Sequence, residues 1–360
     1  MRPLDGITVL DLTRLLPGGA ATMLLANFGA EVIKIEEPGT GDYGRAMPPF
    51  LDGQGAVFQL VNRGKKSVAL DLKDKLGKGA FLDMVARADV LVESFRPGVM
   101  ARLGLDYETL RAQHERLIYV AITGYGQHGP DCGMAGHDIN YLALGGVLDI
   151  TGTAGGPPVI PGAQIADLAG GAMQAVIGVL LALATRARTG LGQMVDASML
   201  AGAAWLLPVA LSFYQATGEL PERGAGVLTG RYACYHLYRC ADGRWISVGA
   251  LEPKFWSALC RALGCEEFIE DQFAEGERCA EIIAALSHIF ETRAAEEWFD
   301  YLKPYDACVA PVRNVAEVIR DFGLGKGESM VLPKLSATPG RLGDPPPGLG
   351  EHTREATGCP

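Results

Sequence analysis

A chain of 360 residues has room for two domains, or for one large α/β unit carrying a smaller one. Hydrophobic residues make up 48% and charged residues 21%; the net charge of −10 argues against nucleic acid as principal partner, but leaves open one anionic ligand held by local Lys and Arg. Eight cysteines without a C-x-x-C pair, and no charged leader ahead of an apolar stretch, suggest reduced and mostly buried thiols in a cytoplasmic protein.

In chain order, Ile7 to Leu12 is a strand, Pro17-Gly18-Gly19 opens a helix to about Phe28, and Glu31 to Ile35 is a second strand. That βαβ unit implies a parallel sheet with a right-handed crossover. Its turn has no G-x-G-x-x-G, so a nicotinamide dinucleotide is not expected, and Glu36-Glu37 reads as solvated charge. After a loop over 39–55, Arg63, Lys65 and Lys66 precede a strand at Ser67 to Leu72, with Lys73 beyond it. A helix (Lys75 to Ala88), a strand (Val90 to Glu93), two short helices and a strand at Leu117 to Thr123 follow. Five strands alternating with helices make a doubly wound α/β domain, whose ligands bind outside the carboxyl ends of the strands. Lys73, Arg96 and Arg102 fall at those ends and, with Arg63, Lys65 and Lys66, form a positive patch suited to phosphate groups.

The strand ending at Thr123 runs into a loop broken by Gly124, Gly126, Gly129, Pro130, Gly133 and Gly136 before His137-Asp138 starts a helix. Thirty residues on, Asp167 heads a long apolar helix, where a carboxylate at the N-cap satisfies free N–H groups. Taken alone, a loop histidine and a capping aspartate both have plain structural readings. The run Ile165 to Thr185 has the length of a membrane span, and Ala197 to Tyr214 follows it. The first contains Asp167, Gly170, Gly171 and Gln174, the second Pro208, so both are expected to be buried core helices. A short strand begins at Met194, and composition shifts to Gly, Pro and charge around 218–230. Two β runs, Tyr232 to Cys240 and Trp245 to Gly249, are joined by Asp242-Gly243 as a hairpin, with Glu252 at its exit. Helical patterns fill Phe255 to Leu263, Cys279 to Arg293, Ala295 to Leu302 and Asn314 to Asp321; Asp306 to Pro311 is extended.

Read end to end, the segments LDLTRLLPGG, ANFGAEVIKIEEPGTGDYGR, NRGKKSVALDLK, ADVLVESFRPGVMARLGL, RLIYVAITGYGQHGP, AGHDINY, ADLAGG, GLGQMVDASML, ADGRW, GALEPKF and GEHT form an ordered series. It resembles the class III (family III) coenzyme A transferase superfamily, and within it the α-methylacyl-CoA racemase branch. The resemblance implies an α/β fold: a Rossmann-like large domain with a parallel sheet plus a smaller α+β domain, in an interlocked homodimer. The implied boundaries are 1–190 for the first part of the large domain, 191–222 for linker helices, 223–325 for the small domain and 326–360 for the return to the large one.

The resemblance also implies the chemistry. Asp167 matches the carboxylate that attacks the acyl-CoA thioester in the transferases; His137 and Glu252 match the racemase pattern, and tip the expectation towards an isomerase interconverting (2R)- and (2S)-2-methylacyl-CoA thioesters. A transferase with Asp167 as nucleophile is the alternative. Inversion next to a thioester carbonyl needs a base on one face and an acid on the other, roles His137 and Asp167 can exchange, with the partner subunit's Glu252 orienting the imidazole. By the same resemblance the CoA moiety is held by Leu70, Asp71, Leu72 and Lys73, by Ser94, Phe95 and Arg96, by Arg102, and by Gly136, Asp138, Ile139, Asn140 and Tyr141. Glu37 departs from relatives with a basic residue there that touches the nucleotide. No metal or further cofactor is expected, since coenzyme A is part of the substrate, and neither nucleic-acid binding nor membrane insertion is implied.

Overall fold

The structure, a computed structural model, describes residues 1–357. The chain divides into two compact units: Met1–Leu148, Pro161–Pro208 and Leu324–Pro360 form the first, Asp149–Ile160 and Val209–Gly323 the second.

The first unit is built on six parallel strands: β1 (Thr8–Leu12), β2 (Glu31–Glu36), β3 (Lys65–Ala69), β4 (Val90–Glu93), β5 (Ile118–Thr123) and β6 (Met194–Ser198). Their order across the sheet is β3-β2-β1-β4-β5-β6. The β-branched and leucine runs of β1, β4 and β5 are buried on both faces, as a parallel sheet covered by helices requires. One face carries α1 (Leu15–Asn27) and the long helix α4 (Ala166–Thr189), through Ala21, Leu25, Ala172, Ala175, Val179 and Ala182. The other carries α2 (Lys75–Val85), through Phe81, Met84 and Val85. Strand order reverses between β1 and β4, so a crevice opens at their carboxyl ends.

The third strand lies earlier than the sequence suggests. It spans Lys65–Ala69 rather than Ser67 to Leu72, because Leu70 to Asp74 turn away; the Asp71 side chain accepts the Lys73 N–H at 2.9 Å. Lys65 and Lys66 are therefore in the strand. Lys65 is buried, Lys66 pairs with Glu31 and Glu355, and Arg63 donates to the carbonyls of Gly327 and Gly343. None of the three joins a phosphate patch. Likewise the expected linker over 191–222 supplies β6, the sixth strand of the sheet, and then α5 (Met199–Trp205), before α6 (Pro208–Thr217).

Helix α4 begins as a π-helix over Ala166–Met173 and continues as an α-helix from Gln174. It packs on α5 with backbones in contact: a Cβ at Gly170 would lie 2.8 Å from the Met199 carbonyl oxygen, and one at Gly202 would overlap Gly170 Cα. Only one face of α4 is in the core, in contrast to the buried helix read from the sequence; Met173, Ile177 and Leu181, successive at i and i+4, stay exposed.

The second unit has a three-stranded antiparallel sheet, β9-β8-β7, formed by β7 (Tyr235–Arg239), β8 (Trp245–Gly249) and β9 (Val309–Pro311). The hairpin at Asp242-Gly243 forms as expected, with Gly243 at φ 76°. Helices α7 (Pro253–Leu263), α8 (Gly276–Phe290), α9 (Ala295–Leu302) and α10 (Val315–Asp321) complete it. Its core gathers Trp256, Tyr238, Phe290 and Trp298; the polar tips of Trp256, Tyr238 and Trp298 donate to the carbonyls of Phe268, Ala233 and Phe290 in turn.

Candidate functional site

Three strand exits build the crevice. At the end of β1, Asp11 accepts from the Thr13 N–H and hydroxyl and the Thr22 hydroxyl, all buried, and pairs with Lys65 at 3.0 Å. Lys34 donates to the Thr13 carbonyl at 2.7 Å and pairs with Asp42 at 2.9 Å. Asp42 in turn accepts the Leu15 N–H. Burial works against charge on Asp11, yet Lys34 and Lys65 hold its carboxyl well below the usual range; burial lowers Lys65 to about 8. This lattice of paired charges fixes residues 13–15, including Leu15 in the left-handed region at φ 62°.

At the end of β4, Ser94, Phe95 and Arg96 turn outward. The buried Glu93 carboxylate accepts the Phe95 N–H at 2.7 Å, and burial pushes its pKa up to about 7. At the end of β5, the glycine loop brings Tyr125 and Tyr141 edge to face, with centroids 5.2 Å apart. The Tyr141 hydroxyl donates to the Gly136 carbonyl, and a Cβ at Gly136 would lie 2.7 Å from the Tyr141 ring, so that position has room only for glycine.

This packing seats His137 as the exposed N-cap of α3 (Asp138–Leu144), its N–H accepted by Asn140 Oδ1 at 3.0 Å. Asp167 is not the N-cap expected of it. Ile165 caps α4 with helical backbone, and Asp167 lies in the first turn of the π-helical segment, its N–H accepted by Asp138 Oδ1 at 2.9 Å. Burial first, and then the Asp138 carboxylate, raise the Asp167 carboxyl to about 6, while His137 pulls the other way.

A cavity of about 830 Å³ has both His137 and Asp167 in its wall, with Ser94, Phe95, Arg96, Gly136, Asn140 and Tyr141. Most of the rest is apolar, including Leu16, Val57, Phe58, Met134 and Met199. A second hollow, of about 420 Å³ at the exits of β1, β2 and β3, is lined by Leu70, Asp71, Leu72, Lys73, Phe95 and Arg102. Of the expected CoA contacts, Asp138 and Ile139 line neither; Asp138 is turned to Asp167, and Ile139 is exposed on α3. Glu252 belongs to the other unit, as the exposed N-cap of α7. The sequence reading missed Arg14, which lines both hollows, and the paired charges beneath it; an ionic residue in LDLTR, two past a strand, was their visible trace.

The family model described as CoA-transferase family III matches residues 4–353. Human alpha-methylacyl-CoA racemase is 36% identical over 369 residues, covering 98% of this chain and 92% of that protein. Acetyl-CoA:oxalate CoA-transferase of Acetobacter aceti is 38% identical over 321 residues, covering 88% and 82%. The crystal structure of a CAIB/BAIF family protein from Brucella suis aligns with a TM-score of 0.85 at 30% identity, covering 98% of each chain.

Proposed function

We infer, from the premise that this chain belongs to CoA-transferase family III, that it is an acyl-CoA enzyme which inverts the α-carbon of 2-methylacyl-CoA thioesters. What carries the reading is the pairing of an imidazole and a carboxyl group, His137 and Asp167, in the wall of one largely apolar cavity. One of them takes the α-proton, leaving an enolate; the other returns a proton to the opposite face, and substrate handedness decides which does which. A carboxyl raised to about 6 suits this exchange, being able to hold or release a proton near neutrality. Backbone N–H groups at the start of α4 would oppose the enolate charge, each such donor being worth roughly 3–4 kcal/mol. Lys73, Arg96 and Arg102 would hold the phosphates of CoA. Glu252 would orient His137 from the partner subunit, and two copies would associate through the exposed stripe of α4.

The second reading is group transfer, supported by relatives named as transferases at similar identity. There Asp167 attacks the thioester carbonyl, the C–S bond breaks to release CoA thiolate, and an acyl-aspartyl anhydride forms. Incubation with a 2-methylacyl-CoA in heavy water separates the two. Deuterium entering the α-carbon with no acceptor acid present is the expected result. Hydroxylamine trapping of an acylated Asp167, without exchange, would replace it with the transferase.

A further inference from the structure

Arg14 lies two residues past β1 and lines three hollows at this end of the sheet: the cavity of His137 and Asp167, the smaller one of Lys73 and Arg102, and a third shared with Arg96 and Gly133. Its main chain is held from several sides. The Arg14 N–H donates to Ser94 Oγ at 3.1 Å, the preceding carbonyl accepts from buried Lys34, and the following N–H donates to Asp42. Its side chain is placed by two rings, the guanidinium lying 4.7 Å from the Tyr43 centroid and 5.5 Å from that of Phe95, with one N–H donated to the Tyr43 hydroxyl at 2.6 Å.

The counter-ion, by contrast, is loose. Glu37 stands 3.6 Å from Arg14 and 3.9 Å from Lys73, and all three side chains are 30% or more exposed. An ion pair of that length and exposure has little net worth and is easily exchanged for a better-matched anion. A rigidly mounted guanidinium with a weak partner, one of three cations about the same hollow, suits a diphosphate, whose oxygens accept two parallel N–H groups from the planar fork.

Building on the acyl-CoA reading, we propose that Arg14 grips the diphosphate of the CoA carrier and that Glu37 is the resting partner it leaves on binding. Arg14 then fixes the point at which the carrier passes from the Lys73–Arg102 hollow towards His137 and Asp167.

Calorimetric titration of the full chain with CoA, dephospho-CoA and pantetheine tests this. Arg14→Gln should weaken CoA and dephospho-CoA alike by about tenfold and leave pantetheine unchanged, as the loss of a charge-assisted phosphate contact predicts. Glu37→Gln, which removes the competitor, should tighten CoA a few-fold. Equal losses on all three ligands would reduce Arg14 to a packing residue; a loss on CoA alone would move its contact to the ribose phosphate. Either outcome overturns the proposal, as does unchanged CoA affinity in Arg14→Gln. A wild-type chain that binds no CoA would instead sink the acyl-CoA reading itself.

Discussion

At the scale of single residues, the pH behaviour of the site should follow Asp167. Burial and the neighbouring Asp138 both favour its protonated form, which places it at about 6. As a base it must be ionised, so α-proton exchange in the direction that uses it falls as pH drops through that value; as an acid it loses its proton above it. Asp138→Asn keeps an oxygen to accept the Asp167 N–H but removes the charge. The acid limb of kcat/KM for exchange should therefore move to lower pH, and an unmoved limb would show that another group sets it. Asp167→Asn should lower exchange by about 10²–10⁴-fold, the usual worth of a positioned acid–base group. His137 and Asp167 are singled out by the family resemblance of AGHDINY and ADLAGG, since taken alone a loop histidine and a helix-start carboxylate have plain structural readings. The raised carboxyl could not be, because its causes are tertiary: burial in the folded unit first, and then Asp138, 29 positions away in the chain.

Among elements, the contact of α4 with α5 decides where Asp167 stands. The backbones meet at Gly170 and Gly202, beside the π-helical turn that carries Asp167, and wide turns of this kind are frequent where function needs a residue displaced. Gly202→Ala inserts a methyl group into backbone rather than into a yielding side chain. It should cost about 1–3 kcal/mol of stability by overpacking, read from a urea melt. The exchange rate should fall by more than that loss explains, since the shift passes straight into the turn bearing Asp167. Strand and helix existence along β1, α1, β2, β4 and β5 was legible from apolar periodicity. The boundaries of β3 and the N-terminus of α4 were not. Lys65 looks like a loop residue until Asp11 neutralises it from 54 positions away, and Asp167 looks like a cap until the turn beneath it proves to be helical already. In both places tertiary pairing overrode the local signal.

For the whole molecule, the residues of the stripe Met173, Ile177 and Leu181 are 53%, 48% and 63% exposed, an apolar face that the proposed association of two copies would cover. It also explains the high hydropathy of α4, which is long and apolar enough to cross a membrane while only a third of that window is buried. Association of two copies predicts a sedimentation mass near twice 38.2 kDa, and Leu181→Glu should move it towards the single-chain value. Partition of the wild-type chain into lipid vesicles, with no dimer in solution, would assign the stripe to a bilayer instead.

The last stretch of the chain closes the first unit. The Gly350 N–H donates to Ser67 Oγ, Thr353 Oγ1 accepts the Ala69 N–H, and Asp344 accepts the Gly64 N–H through its carbonyl, so residues 344–353 cover the outer strand of the sheet. During synthesis, then, the large unit waits with one margin bare while the small one is being made, and it is sealed only once residues 344–353 have followed. A message cut short near codon 323 would yield a polypeptide with an uncapped, sticky border, prone to clump with its siblings and not merely slow as a catalyst.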